Sequence, residues 1–267
     1  MLTKSELSIL LEHTQGIARE AGAFIRKERQ HFNPKDVEYK GLNDLVSYVD
    51  KEAEKLIVSK LGKILPEAGF ITEEGTAAKA AAELTWIIDP LDGTTNFIHG
   101  LPIFAVSIAL MEKDELVLGV VYEINRHECF YAIKGGGAFC NETKIKVSTA
   151  KTLSESLIAT GFPYYNFELI DKYMGTLKEL MKSTHGLRRL GSAAVDLCYV
   201  ASGRSEGYFE YNLNSYDVAA GALIVEEAGG TVTDFKGGRD FVFGRQIIAT
   251  NRLIHQEFTE KIKPILS

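Results

Sequence analysis

Three β-rich segments, at residues 104–111, 116–124 and 129–133, follow one another with only the polar turns Lys113-Asp114 and Asn125-Arg126 between them. Connections that short join antiparallel neighbours, so the middle of the chain predicts a meander in one largely antiparallel sheet. The flanks are built differently. Residues 3 to 30 read as one long helix: Thr3 and Glu6 have capping-box spacing, and Leu7, Leu10, Leu11, Ile17, Ala18, Ala21, Phe24 and Ile25 recur every three or four positions. After the Asn33-Pro34 break and a Lys40-Gly41 turn, a second helix is predicted over 46–61, stopped by Pro66 and Gly69. Phe70-Ile71-Thr72 and Trp86-Ile87-Ile88 read as strands, the second one buried. Beyond residue 150 strands (156–160, 207–210, 230–233, 247–250) alternate with helices (167–182, 192–202, 216–228, 252–262). The pattern predicts stacked helix and sheet layers in an α+β or α/β chain, with an N-terminal half over 1–150 and a C-terminal half over 151–267. No repeat, low-complexity tract or flexible linker separates the halves, so they are expected to pack as one unit.

Charge and cysteine content narrow the function classes. Of 267 residues, 30 are Lys or Arg and 36 are Asp or Glu, a net charge of −6. That balance argues against a protein that coats nucleic acid, which normally shows a basic surplus. Cys129, Cys140 and Cys198 are odd in number and lack metal-site spacing. A Cys129–Cys140 bridge across a hairpin competes with buried free thiols, and a chain of this size favours the thiols and a reducing compartment. The N-terminus opens on a charged amphipathic stretch rather than an apolar signal core, and the longest apolar run, 101–111, is far short of the roughly 18 residues that span a bilayer. A cytoplasmic protein with no membrane and no nucleic-acid partner is expected.

The densest chemical signal is Asp89-Pro90-Leu91-Asp92-Gly93-Thr94-Thr95-Asn96-Phe97, directly after the buried strand. Asp89 stands where that strand is expected to end, and Asp92 follows across a Pro-containing turn. Both carboxylates and the Leu91 carbonyl can then aim at one point, the all-oxygen shell that a hard divalent cation takes. Gly93-Thr94-Thr95 adds backbone N–H groups and two hydroxyls suited to phosphate. The competing reading is an Asx-rich turn in which Asp89 and Asp92 cap the next segment. Glu73-Glu74, after a predicted strand, and Asp217, opening a predicted helix, are further carboxylates that can complete a metal site. Without a cation such a cluster raises its own pKa values. Arg188-Arg189 either steers an anionic substrate or is a solvent-facing pair, and Gly135-Gly136-Gly137 reads as a hairpin turn.

Over residues 38–251 the sequence resembles the inositol monophosphatase family. The resemblance rests on Asn43-Asp44-Leu45-Val46, Ile71-Thr72-Glu73-Glu74, the run from Asp89 to Phe97, and Ser215-Tyr216-Asp217-Val218-Ala219-Ala220-Gly221, in that order. Gly191-Ser192-Ala193-Ala194 stands where the family's inositol-contacting loop belongs. The resemblance implies a layered αβαβα sandwich and Mg²⁺-dependent hydrolysis of small phosphate monoesters, with two or three ions per site, sensitivity to Li⁺ and a homodimer. By position Glu73, Asp89, Asp92, Asp217 and the Leu91 carbonyl correspond to metal ligands. Asp44 and Thr94 resemble the pair that activates the attacking water, with Glu73 beside them as a catalytic carboxylate. Substrate contacts are expected from Asp92, Gly93, Thr94, Thr95, Gly191, Ser192, Ala193, Glu210 and Asp217, with Glu210 accepting from substrate hydroxyls.

This sequence departs from the family at Ser47 and Tyr216, where Thr and Trp are common, and at Thr72, which replaces Gly and stiffens the approach to Glu73. The expected substrate is a small phosphorylated polyol, foremost myo-inositol monophosphate. The rival substrates are fructose 1,6-bisphosphate, 3′-phosphoadenosine 5′-phosphate and histidinol phosphate. A catalytically silent binding protein of the same fold is a rival of another class.

Overall fold

The computed structural model describes residues 2–33, 37–41, 44–77, 82–163 and 166–266, with the backbone alone for 37–41 and 44–46. Helix α1 (Lys4–Arg29) starts on the expected capping box. The Thr3 side chain accepts from the Glu6 N–H, and the Glu6 carboxylate accepts from the Thr3 N–H. Its stripe of Leu7, Leu10, Ile17, Ala21 and Ile25 packs with Ala53, Ile57 and Leu61 of α2 (Tyr48–Ile64) on one face of the large sheet. Helix α2 begins later than the sequence pattern suggests because Asp44–Ser47 is a strand, β2, paired antiparallel with β1 (Val37–Gly41).

The large sheet runs β3 (Gly69–Thr72), β4 (Leu84–Asp92), β5 (Ala105–Glu112), β6 (Glu115–Glu123), β7 (Glu128–Ile133), β8 (Gly137–Cys140) and β9 (Thr143–Lys144), side by side in chain order. Only β3 and β4 are parallel; from β4 onward every pair is antiparallel, as the meander requires. The central strands are covered on both faces, which makes them near-continuous apolar runs. Ile88, Val106, Ile108 and Val120 face α1 and α2, whereas Ile87, Ala105, Ala109 and Val121 join the cluster of α5 (Ala193–Ala201) and α6 (Ser215–Glu227).

The smaller sheet has the order β11 (Gly186–Arg188), β10 (Leu157–Thr160), β12 (Gly207–Tyr211), β14 (Gln246–Thr250), β13 (Thr231–Thr233). Ile247 and Ala249 turn towards α5 and α6, while Phe209 and Ile248 meet α4 (Ile170–Ser183) and α7 (His255–Ile262) outside. The layers are therefore helix, sheet, helix, sheet, helix, the αβαβα sandwich expected.

All three cysteines are free. Cys140 lies opposite Phe130 rather than Cys129, and burial pushes the Cys129 thiol up to about 12. Gly135 and Gly136 form the β7–β8 turn. Among the described residues no helix is long and apolar enough to cross a membrane.

Candidate active site

The strand β4 does not stop at Asp89. It continues through Pro90 and Leu91 to Asp92, and the pairing with β5 shifts on the way: Asp89 faces Ser107 and Asp92 faces Ala105. Three steps on β4 thus oppose two on β5, the signature of a bulge. In a regular strand residues three apart point to opposite faces. The extra residue restores the parity, and Asp89 and Asp92 both reach the same cleft. The expected turn between them is instead a bulged strand, with Pro90 at the one place a sheet interior tolerates it.

One carboxylate oxygen from each of Asp89, Asp92 and Asp217 lies within 4.8 Å of the other two. Asp217 comes from the first turn of α6, where it also closes a capping box by accepting from the Asn214 N–H at 2.6 Å. Glu73 arrives from the end of β3. Because β3 is parallel to β4, the two strands finish together, and the Glu73 N–H bonds to the Ile88 carbonyl at 3.3 Å. Asp92 is held by the start of α5, whose Ser192 hydroxyl (2.6 Å) and Ala194 N–H (2.7 Å) both donate to Oδ2.

These carboxyls resist ionisation together. Burial, then the charges of Glu73, Asp92 and Asp217, hold Asp89 well above the usual carboxylate range. Burial lifts Asp92 to about 6, against the hydrogen bonds from Ser192 and Ala194. Asp217 rises to about 7, through burial and then the charge of Asp92. A set of buried hard oxygens with this mutual repulsion is what a divalent cation relieves, so the residues fit Mg²⁺. The Leu91 carbonyl stands in the same cleft, 3.0 Å from the Thr94 hydroxyl.

The acceptor for Thr94 is not the residue expected. Its Oγ1 donates to Asp50 Oδ1 at 2.9 Å. The other oxygen of Asp50 takes the Ser47 N–H (2.9 Å) and the Ser47 hydroxyl (2.6 Å) in the capping box of α2. Asp44 lies on β2, its side chain outside the described residues, and the position facing Thr94 is filled from α2 by Asp50. A charged acceptor takes the single hydroxyl hydrogen in preference to the Leu91 carbonyl. One turn further along the same helix, fully buried Glu54 accepts from the N–H groups of Glu74 and Thr76, both at 2.7 Å, and fixes the loop behind Glu73. Sequence reasoning missed Asp50 and Glu54. Their signal was available: Asp50 closes a Ser-x-x-Asp capping pattern with Ser47, and Glu54 follows four residues on, along the same helical face.

Gly93 occupies the left-handed region (φ 96°), and a Cβ there would sit 3.0 Å from the Ile103 carbonyl and 3.2 Å from that of Gly191. Glycine lets the chain turn from β4 into the short helix α3 (Thr94–His99) with Thr94 and Thr95 on the cleft. Asn96, also missed, donates through Nδ2 to the carbonyls of Ile103 and Leu190, both at 2.8 Å, and so ties this turn to the Gly191 loop.

Glu73, Asp89, Leu91, Asp92, Gly93, Thr94, Thr95, Gly191, Ser192, Ala193, Glu210 and Asp217 all line one cavity of about 310 Å³. Ser192 is there, but its hydroxyl is committed to Asp92. Glu210, 7 % exposed, stands on β12 with the Tyr208 hydroxyl donating to it at 2.5 Å, and burial raises its pKa to about 8. Gly161 makes room for it, since a Cβ there would fall 2.0 Å from Glu210 Oε2. The arginine pair divides: Arg189 lines this cavity, its guanidinium 5.9 Å from the Phe162 ring centroid, and Arg188 does not.

A layered sandwich with a cleft of converging carboxylates defines a mixed helix-and-sheet protein with an acidic cluster that can take a hard cation. Comparison with known proteins makes the assignment specific. The model of the inositol monophosphatase family matches residues 6–267, and the chain belongs to that family. It is 39% identical over 261 residues to the inositol-1-monophosphatase of Mesorhizobium japonicum, covering 97% of this chain and 98% of that one. It is 41% identical over 251 residues to the Nus factor SuhB of Pasteurella multocida, covering 94% of each. Among solved structures, the IMPase of Thermotoga maritima superposes with a TM-score of 0.88 at 36% identity, over 96% of this chain and 97% of the other.

Proposed function

We propose that this protein hydrolyses small phosphate monoesters with two or three Mg²⁺ ions per site, and that its preferred substrate is a myo-inositol monophosphate. The observation that carries the reading is the convergence of Asp89, Asp92 and Asp217 within 4.8 Å, beside a threonine whose hydroxyl is already hydrogen-bonded to a buried aspartate. Glu73, Asp89, the Leu91 carbonyl, Asp92 and Asp217 are the residues to hold the metal. When bound, Mg²⁺ neutralises phosphate charge and lowers the pKa of a water.

The chain's own groups do the rest. Asp50 accepts the Thr94 proton, which leaves the Thr94 oxygen lone pairs to accept from the attacking water and aim it. Asp50 is held for that task by Ser47, and Glu54 keeps the Glu73 loop in place. The backbone N–H groups of Gly93, Thr94 and Thr95 face the ester oxygens at the helix start, where they have no partner within the helix. Glu210 reads hydroxyls on the leaving group, and Gly191 and Ala193 shape the wall beside it. No covalent phosphoenzyme is needed.

Relatives named Nus factor SuhB support a second reading, a binding protein of the same fold. The complete carboxylate set favours the enzyme. A homodimer in the cytoplasm, inhibited by Li⁺ and without nucleic-acid or membrane partners, completes the proposal. Phosphate release should be abolished by EDTA, restored by Mg²⁺, fastest on inositol monophosphate in a panel with fructose 1,6-bisphosphate, 3′-phosphoadenosine 5′-phosphate and histidinol phosphate, and reduced by several orders of magnitude in Asp89→Asn. RNA or protein binding without phosphate release would favour the second reading.

A further inference from the structure

A second cavity, of about 240 Å³, opens beside α5 and shares only Asp196 with the candidate active site. Its walls include Leu157, Ala159 and Leu190, but two polar groups stand among them. Asp196 is 1 % and Ser205 4 % exposed, and neither Asp196 Oδ1 nor Ser205 Oγ has a hydrogen-bond partner among the described residues. Buried polar atoms are paired in nearly all native structures, and two unpaired ones lining one cavity ask for a ligand that pairs them.

The entrance carries the opposite chemistry. The exposed side chains of Arg126, Arg188 and Arg204 all border it. Arg204 makes two bonds to Glu128, at 2.7 and 2.6 Å, and Arg126 Nε lies 3.6 Å from the same carboxylate. Among the described residues Arg188 bonds only to the neutral Leu187 carbonyl, at 2.9 Å. Glu123, which accepts from the Arg126 N–H, and Glu206, which accepts from the Leu157 N–H at 2.6 Å, add carboxylates beside Glu128. Arg126 and Arg204 are thereby offset, and Arg188 is the rim guanidinium that no carboxylate pairs among the described residues.

We propose that this cavity binds a small hydroxylated anion, whose hydroxyls pair with Asp196 and Ser205 and whose acidic group meets Arg188. A hydroxyl both donates and accepts, so it serves a carboxyl in either protonation state as well as a serine. A purely apolar ligand leaves both floor atoms unpaired, and a bare anion brings no donor to Asp196. Phosphorylated polyols and sugar acids share the required chemistry, and the acidic group separates them.

The test is calorimetric titration of the full chain in EDTA with glycerol 3-phosphate and, separately, with gluconate. At least one probe is expected to saturate, and the tighter one identifies the acidic group. Arg188→Glu should weaken it about tenfold or more, the worth of one hydrogen bond to a charged group, and Ser205→Ala about threefold to tenfold, the worth of a neutral one. Both variants should release phosphate from p-nitrophenyl phosphate with Mg²⁺ at the wild-type rate, which places the loss outside the candidate active site. Failure of both probes to saturate at millimolar concentration overturns the proposal. So does binding that neither variant weakens, or a change of oligomeric state in the variants, which would make a second copy of the chain the occupant.

Discussion

Threonine is a poor base by itself, so what Thr94 can do depends on the group that takes its proton. With Asp50 in that place, Thr94→Ala and Asp50→Asn should each lower kcat about 10²–10⁴-fold with little change in KM, the usual worth of a positioned proton acceptor. The double variant should be no worse than the more damaging single one, because the two act as a relay. Asp44→Asn should cost far less than either; an equal loss would return the relay to Asp44. Steady-state kinetics of the four variants decides between the two aspartates. The sequence motif pointed to Asp44 because choosing between acidic residues six apart requires knowing where β2 ends and α2 begins. The metal-ligand candidates were easier to read, since their spacing and residue types are themselves the chemistry. Glu210 brings a pH dependence that sequence could not show. Burial raises it to about 8, so below that pH the carboxyl is largely protonated and glutamine is a close mimic. Glu210→Gln should therefore alter the kcat/KM ratio of inositol monophosphate to p-nitrophenyl phosphate little at pH 6.5. Above about pH 8.5 the same substitution should cost roughly 1.5–3 kcal/mol, the worth of a hydrogen bond to a charged acceptor. A ratio that does not change with pH would mean that Glu210 does not read the substrate as an anion.

At the scale of elements, the long amphipathic helices and the meander were legible because their periodicity spans many residues. The short strands β8, β9 and β11, at or next to a sheet edge, were not: two to four residues with partly exposed side chains carry no pattern to read. The β4 bulge was hidden for another reason. Pro90 looks like a turn residue in sequence, and only pairing with β5 shows that the strand continues past it. The junction of α3 with the Gly191 loop depends on Asn96 in the same non-local way. Removing that amide leaves the Ile103 and Leu190 carbonyls without their donor inside the protein. Asn96→Ala should lower unfolding free energy by about 1–3 kcal/mol. The loss of kcat/KM should exceed the loss of folded protein, since Gly191 and Ser192 also shape the cleft. Denaturant unfolding read alongside kinetics checks both halves; unchanged stability would show that the tie between α3 and the loop is not used.

The whole molecule concentrates acid where its layers meet. Asp89 and Asp92 come from the large sheet, Asp217 from a helix between the sheets and Glu210 from the small sheet, so folding itself brings these carboxyls together. In the unfolded chain they titrate near 4. In the folded, metal-free protein burial and mutual repulsion raise Asp92 to about 6, Asp217 to about 7, Glu210 to about 8, and Asp89 well above its ordinary value. Between about pH 4 and pH 8 the native state therefore binds more protons than the unfolded state, and the slope of unfolding free energy with pH is negative. The protonated cluster is fully tolerated below the unfolded pKa values, and stability is lost as pH rises through the folded ones, at about 1.4 kcal/mol per pH unit for each extra proton held. Protein in EDTA should thus melt at a lower temperature at pH 8 than at pH 6. Mg²⁺ competes with those protons and binds the native cluster alone, so it should raise the melting temperature more at pH 8 than at pH 6. Asp89→Asn removes one of the repelling charges. It should flatten the pH dependence in EDTA and shrink the Mg²⁺ shift, even as it abolishes activity. Scanning calorimetry of both proteins at the two pH values, with EDTA and with Mg²⁺, tests the set. A metal-free protein more stable at pH 8, or a Mg²⁺ shift independent of pH, would mean that these carboxyls do not hold the excess protons.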